Sequence, residues 1–275
     1  MNKDIVVIYH AWCNDGFGGA WSAYKKFGNS AEYIPAQHGS SPPELISKLL
    51  YLIDFTYPRN DMERLYGDND VYILDHHLSA QSQLSDLPNT IFDMNRSGAL
   101  IAWQYFHPDK NIPWFIEYIS DADLWNWKLP ESKIYNAFLK TLPFDFEVWD
   151  TLEDLQHSDI SKLGMVALSA QKREIEYLLK TNDVITRNLE DIPAKIINYQ
   201  GTLCSKLGEA LYQDAPMSVC WFINGDKAFF SVRSNKNSNI DVSEICSKFG
   251  GGGHRSAGGF SLPIKRVPKE WRFWQ

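Results

Sequence analysis

The residues able to do chemistry in this chain recur at the ends of short apolar runs. His10 lies at the end of "DIVVIYHA" with Asp15 shortly after it, Asp54 ends "YLID", Asp75, His76 and His77 close "VYILDHH", and Asp121 lies in "EYISDAD". A single Asp or His after a strand is most often a cap or a satisfied loop residue. Several delivered to one edge are a different matter, because crowded carboxylates repel and a divalent cation, or two, offsets that charge and keeps each ligand ionised. Mixed oxygen and imidazole donors with no thiolate pair suit manganese, magnesium or iron better than structural zinc.

For those groups to meet, the runs that precede them must be neighbouring strands. The first third alternates "DIVVIYHA", "DGFGGAWSAYKKFG", "YLIDFTYP", "DVYILDHH", "TIFDM" and "SGALIAWQYF". Strand followed by helix, repeated, predicts a parallel sheet covered on both faces, with ligands at the carboxyl ends of its strands. Beyond residue 110 the spacing turns helical through "IPWFIEYISDADLWNW" and "ESKIYNAFLK", then along a run from about Ile160 to Asn188. Strands return in "AKIINY", "SVCWFING" and "KAFFSVRS", before the glycine-rich "FGGGGHRSAGGFSL". The expected fold class is therefore α/β. A parallel-sheet domain spans 1–160, a linker helix 161–188 and a smaller α/β domain 189–275. The aromatic tail "KEWRFWQ" reads as a packed terminus or an exposed arm.

Composition bounds the function. At 275 residues, 44% hydrophobic and 22% charged, the chain has material for two cores. A net charge of -7 argues against coating long duplex nucleic acid but allows a short anionic ligand in a basic pocket. With no membrane-length apolar stretch and no secretory signal at the start, the expectation is a cytoplasmic protein without a membrane partner. Cys13, Cys204, Cys220 and Cys246 are far apart, form no CxxC pair and are read as reduced thiols.

Other candidates are anion binders. Glycines in "GGGGHRSAGG", residues 250–259, allow close backbone approach and could aim successive N–H groups at phosphate. A linker is the plainer alternative, discounted because His254 and Arg255 interrupt the run between apolar flanks. Arg233 ends the predicted strand "FFSVRS", and Arg96 precedes a helix that Ser97 is expected to cap. Trp125 and Trp127 could stack on a base, though packing in the core is the commoner role.

Taken together, "YILDHH", "IYHAWCNDGFGGAW", "IDFTYP" and "FGGGGHRSAGGF" resemble, in order and over nearly the whole chain, the DHH phosphoesterase superfamily with its associated C-terminal domain. The nearest likeness is to members grouped with oligoribonucleases and cyclic-nucleotide phosphodiesterases. The resemblance implies a two-ion manganese centre, with magnesium or another divalent ion as substitute, held by His10, Asp15, Asp54, His76 and Asp121. Asp54 and Asp121 would be shared between the ions. It further implies that Asp75 accepts a hydrogen bond orienting a ligand imidazole and that His77 lies near the substrate or leaving oxygen. Gly251, Gly252, Gly253 and His254 would meet the phosphate as the second domain closes over the first; beside them, Arg255 and Arg233 are candidates for binding phosphate or base, and Arg96 could face the cluster.

The sequence departs from the superfamily pattern at Cys13, where many members carry an aspartate. A packed thiol is the favoured reading, because a hard-ligand site gains little from sulfur, and thiolate ligation is the alternative. The activity expected is hydrolysis of short oligonucleotides, nano-RNA or short DNA, by two-metal activation of water. Phosphatase action on 3′-phosphoadenosine 5′-phosphate, cleavage of cyclic nucleotides, and a nucleotide-binding module whose catalysis has decayed are the alternatives. The resemblance also leaves room for a homodimer.

Overall fold

The structure, a computed structural model, describes residues 4–272. Phe273, Trp274 and Gln275, the end of the aromatic tail, lie outside the described residues. The chain divides into two compact units at Ser169 and Ala170.

The first unit is built on strands β1 (Ile5–His10), β2 (Ala31–Ala36), β3 (Leu49–Ile53), β4 (Asp70–Asp75) and β5 (Thr90–Phe92). All pair parallel, in the order β2-β1-β3-β4-β5. Helices α1 (Asn14–Phe27), α2 (Arg59–Asp68) and α3 (Leu78–Leu84) lie between strands, and α4 (Gly98–Phe106), α5 (Trp114–Asp123), α6 (Ser132–Leu139) and α7 (Phe146–Asp150) follow β5. Strand residues alternate between two buried faces, so the strands are apolar throughout. Val7, Tyr9, Tyr51 and Ile53 pack with Phe17, Trp21, Trp103, Phe115 and Trp149 on one face. Val6, Ile8, Leu50, Leu52 and Ile73 pack with Met62, Leu65 and Leu84 on the other.

Sequence reading overlooked β2, which is an edge strand carrying Pro35 and only partly buried. Its place is consequential. From β1 the chain steps outward to β2 and returns to pair β3 on the opposite side of β1. The β1/β3 junction is thus a topological switch point, where connections leave in opposite directions and open a crevice at the carboxyl ends.

The long helix α8 (His157–Thr181) runs through the division between units. It stops before the expected Asn188, because Asn182 turns its side-chain amide back onto the Leu178 carbonyl and the β-branched Ile185 and Thr186 begin a strand. The second unit contains β6 (Ile185–Leu189), β7 (Ile192–Asn198), α9 (Cys204–Leu211), β8 (Met217–Asn224), β9 (Lys227–Ser234), α10 (Val242–Ser247), β10 (Gly252–His254) and β11 (Ala257–Pro263). Its six-stranded sheet runs β10-β11-β9-β8-β7-β6, with only β7 and β8 parallel. Met217, Val219, Phe230, Val232 and Phe260 centre its core. No helix among the described residues is long and apolar enough to cross a membrane.

Candidate metal centre

Each strand next to the switch point ends in a ligand-type side chain. His10 is the last residue of β1, Asp54 follows β3 directly, and Asp75 ends β4 with His76 and His77 after it. Parallel pairing brings these ends level, with Tyr9 opposite Ile53 and Ile53 opposite Leu74. Asp54 adopts φ 54°, a left-handed conformation that a non-glycine residue keeps only where its surroundings hold it. Gly98 provides part of that hold. A Cβ there would lie 2.5 Å from the Asp54 Cβ and 3.1 Å from Asp15 Oδ2.

Asp54 is the hub. Its Oδ2 lies 3.4 Å from His10 Nδ1 and its Oδ1 lies 3.2 Å from His76 Nε2. His76 Nε2 also lies 3.4 Å from Asp15 Oδ2 and 3.4 Å from Asp123 Oδ2. Asp15 stands in the first turn of α1, where both oxygens accept N–H bonds from the start of α4, at 2.7 Å from Gly98 and 2.9 Å from Ala99. Donor atoms of His10, Cys13 and Asp54 fall within 4.8 Å of one another, as do those of Asp15, His76 and Asp123.

Asp75 Oδ1 accepts from the backbone N–H of His76 at 2.7 Å and pairs with His77 Nδ1 at 2.7 Å. The imidazole it orients is therefore that of His77. Its Oδ2 is buried with no hydrogen-bond partner among the described residues.

Asp121, expected as a shared ligand, is turned to another task. Its carboxylate accepts from the Lys128 and Leu129 backbone N–H groups and from Ser132 Oγ, closing the loop after α5 onto the start of α6. Asp123, two residues on, is the carboxylate that meets His76. "DAD" signals both, and only the loop's return through residues 128–132 decides between them. Arg96 is likewise engaged, donating to Asp93 Oδ2 at 2.7 Å and Gln104 Oε1 at 2.6 Å, while Ser97 caps α4 as expected. Trp125 and Trp127 lie after α5 at φ 56° and 54°, half-buried and edge-to-face, outside the main core.

Electrostatics bind the group together. Burial and the charges of Asp54 and Asp123 push Asp15 well above the carboxylate range. Burial opposes ionisation of Asp54 too, but hydrogen bonds from His10 and His76 outweigh it and hold Asp54 well below that range. Burial works against a charged His10, yet the hydrogen bond and charge of Asp54 raise it to about 11. His76 is raised well above its ordinary value against the same burial cost, chiefly by the Asp54 hydrogen bond and the Asp123 charge. Without metal, then, imidazolium protons do the work of cations.

A divalent ion fits the donor set: the buried Asp15, Asp54 and His76 converge with the more open His10 and Asp123, and imidazole protons stand where positive charge is needed. Sequence reading passed over two further groups. Lys140 at the end of α6 is lowered by burial and carries a charge interaction with Cys13 and Asp123; His38, beside His10 and Phe55, is depressed to about 4 by burial and by the neighbouring imidazoles. Lys140 ends the helical run "ESKIYNAFLK" and His38 follows the edge strand β2, so neither ends one of the strands next to the switch point.

The remaining candidates belong to the second unit. Arg233 on β9 donates to the Val232 and Gly258 carbonyls at 2.8 and 3.2 Å and to Ser205 Oγ at 2.9 Å, fastening β9 to β11 and α9. The glycine run forms a hairpin: Gly252 pairs with Gly259, Gly253 with Gly258 and His254 with Ala257. A Cβ on Gly251 would fall 2.1 Å from the Gly259 carbonyl oxygen, and Gly253 adopts φ 137°. Arg255 is exposed at the hairpin tip, its carbonyl accepting from Val242 N–H at 2.7 Å.

Comparison with known proteins places this geometry. The uncharacterized protein R106 of Acanthamoeba polyphaga mimivirus is 34% identical over 97% of the chain and 72% of its own length. The chain belongs to the family of R106. Oligoribonuclease NrnB of Bacillus subtilis (strain 168) is 24% identical over 78% of the chain, which spans 59% of that protein's length. Among solved structures, the pGpG-specific phosphodiesterase PggH of Vibrio cholerae superposes over 96% of the chain and 94% of its own, at a TM-score of 0.50 and 16% identity. The fold of this R106 relative is thus of the DHH type, as the motifs implied. No family model matches the chain.

Proposed function

We propose that the chain is a divalent-metal-dependent phosphodiesterase that hydrolyses short oligonucleotides. The observation that carries this reading is Asp54, one oxygen of which faces His10 while the other faces His76, so that a single carboxylate serves two donor sets at the switch point. His10, Cys13 and Asp54 would hold one ion, and Asp15, His76 and Asp123 with Asp54 the other, with manganese or magnesium suited to the second, oxygen-rich set. Bound ions supply a nucleophile from water at neutral pH and neutralise charge on the phosphoryl group. Asp75 fixes the His77 ring through Nδ1, which makes Nε2 the nitrogen that serves the leaving oxygen.

The oligonucleotide class is supported by the NrnB relative and by the phosphodiesterase that shares the fold. An acidic chain offers little basic surface for following a long strand, which favours substrates of a few nucleotides. Two retained donor sets argue against a decayed module.

The test compares a dinucleotide, 3′-phosphoadenosine 5′-phosphate, a cyclic dinucleotide and pyrophosphate at matched concentrations with manganese. Fastest turnover of the dinucleotide is expected. Preference for pyrophosphate, or binding without turnover of any of them, would refute the proposal.

A further inference from the structure

Cys13 occupies the N-cap position of α1, where Ser, Thr, Asp or Asn would ordinarily accept a backbone N–H bond. The thiol makes no such cap bond. Capping therefore does not account for the residue. Trp12 before it takes φ 59°, and Gly16 after it packs so closely on β1 that an added Cβ would sit 2.2 Å from the His10 carbonyl oxygen. This tight turn doubles the chain back and sets Sγ beside a His10 nitrogen and an Asp54 oxygen, all within 4.8 Å of one another.

The two donor sets that share Asp54 are unlike in chemistry. One offers imidazole, sulfur and carboxylate; the other offers the carboxylates of Asp15 and Asp123 with the His76 imidazole. Thiolate is a soft donor that favours zinc and its neighbours, whereas a carboxylate-rich set suits manganese and magnesium. We propose that the centre is built for two different ions: a borderline ion of the zinc, cobalt or iron(II) class at His10, Cys13 and Asp54, and a hard ion at Asp15, His76 and Asp123. The sequence expectation of a packed thiol gives way to a ligand. On binding, the Cys13 thiol gives its proton to solvent and Sγ donates to the ion. This inference rests on the metal-centre reading above and narrows the identity of one ion.

The experiment is a cobalt(II) titration of the metal-free full-length chain, followed by near-ultraviolet absorption, because thiolate-to-cobalt charge transfer gives a band that oxygen and nitrogen ligands do not. A band saturating at one equivalent is expected in the parent protein and lost in both Cys13→Ser and Cys13→Asp. Bound cobalt with no band, or a band that survives in Cys13→Ser and so arises from other thiols, would overturn the inference. Two further checks keep it separable from the phosphodiesterase reading. Circular dichroism shows whether each variant is folded, and Cys13→Asp, which restores an oxygen donor at the same place, should still bind two manganese ions. A Cys13-dependent band without turnover of a dinucleotide would sink the phosphodiesterase reading and leave this one standing; turnover with two bound ions and no band would do the reverse.

Discussion

The strand-end cluster of the first unit and the glycine hairpin of the second both stand out in the sequence, yet they spend their residues in opposite ways. In the first, charged side chains from β1, β3, β4, α1 and α5 turn toward one another and remain under electrostatic tension. In the second, backbone geometry claims some of the conspicuous residues: Gly251 and Gly253 let two strands approach, and Arg233 ties strands and a helix together. A dense motif identifies a position under constraint. Whether the constraint is chemical or steric depends on what the partners are.

The sharpest break between the two regions is His76→Ala. Removing a side chain that meets Asp15, Asp54 and Asp123 should lower dinucleotide turnover on the order of 10²–10³-fold while the far-ultraviolet spectrum stays native. Rates near the parent's would show that the convergence has no catalytic meaning. Asp123→Asn and Asp121→Asn then divide chemistry from scaffold within two residues. The first should weaken manganese binding by more than the roughly 10–100-fold that loss of an outer partner costs, with little change in the urea midpoint. The second should leave ion stoichiometry intact and destabilise by about 1–3 kcal/mol, because three donors lose a charged acceptor.

Gly253→Ala tests the steric half. Its Cβ would lie 2.4 Å from the Ala257 carbonyl oxygen at φ 137°, so hydrogen exchange should show β10 and β11 loosened by more than about 1 kcal/mol with manganese affinity unchanged. A pH series on metal-free protein extends the contrast. The raised His10 contributes stability that is complete below its unfolded value near 6.5 and fades as pH climbs toward about 11, while the depressed Asp54 contributes above its ordinary 3.8 and loses it as pH falls. The thermal midpoint in EDTA should therefore peak in the mildly acidic range. With manganese the trend should reverse, since ions and protons compete for the same nitrogens. A midpoint in EDTA that rises steadily from pH 6 to 9 would contradict the ion-pair account. The smallest effect belongs to Arg255→Ala. Stability should stay within about 0.5 kcal/mol, as for an exposed side chain, and KM for a dinucleotide should rise without a fall in kcat if the tip touches phosphate.

Much of the site was legible because strand-end residues announce themselves: apolar runs ending in Asp or His predicted His10, Asp54 and His76, and the helix after the first run carried Asp15. The choice between Asp121 and Asp123 was not legible. Neither was the role of Cys13, since a thiol reads alike whether packed or ligating until its neighbours are known. The helical spacing that ran on to Asn188 failed because apolar spacing alone does not separate the end of a helix from the start of a short strand, which the β-branched Ile185 and Thr186 begin by pairing with β7.

By itself the sequence determined the composition of this protein: which runs are buried, which residues carry charge, and that oxygen and nitrogen donors follow strands, all of which are local properties of periodicity and residue type. Only the tertiary structure decided who meets whom. Strand order placed β1 beside β3 and made their ends a crevice, a loop returning from residue 128 drew Asp121 away and left Asp123 to His76, and one tight turn set sulfur against nitrogen and oxygen. Those outcomes turn on distances between residues remote along the chain, and distance is fixed by the packing of the whole rather than by any one segment.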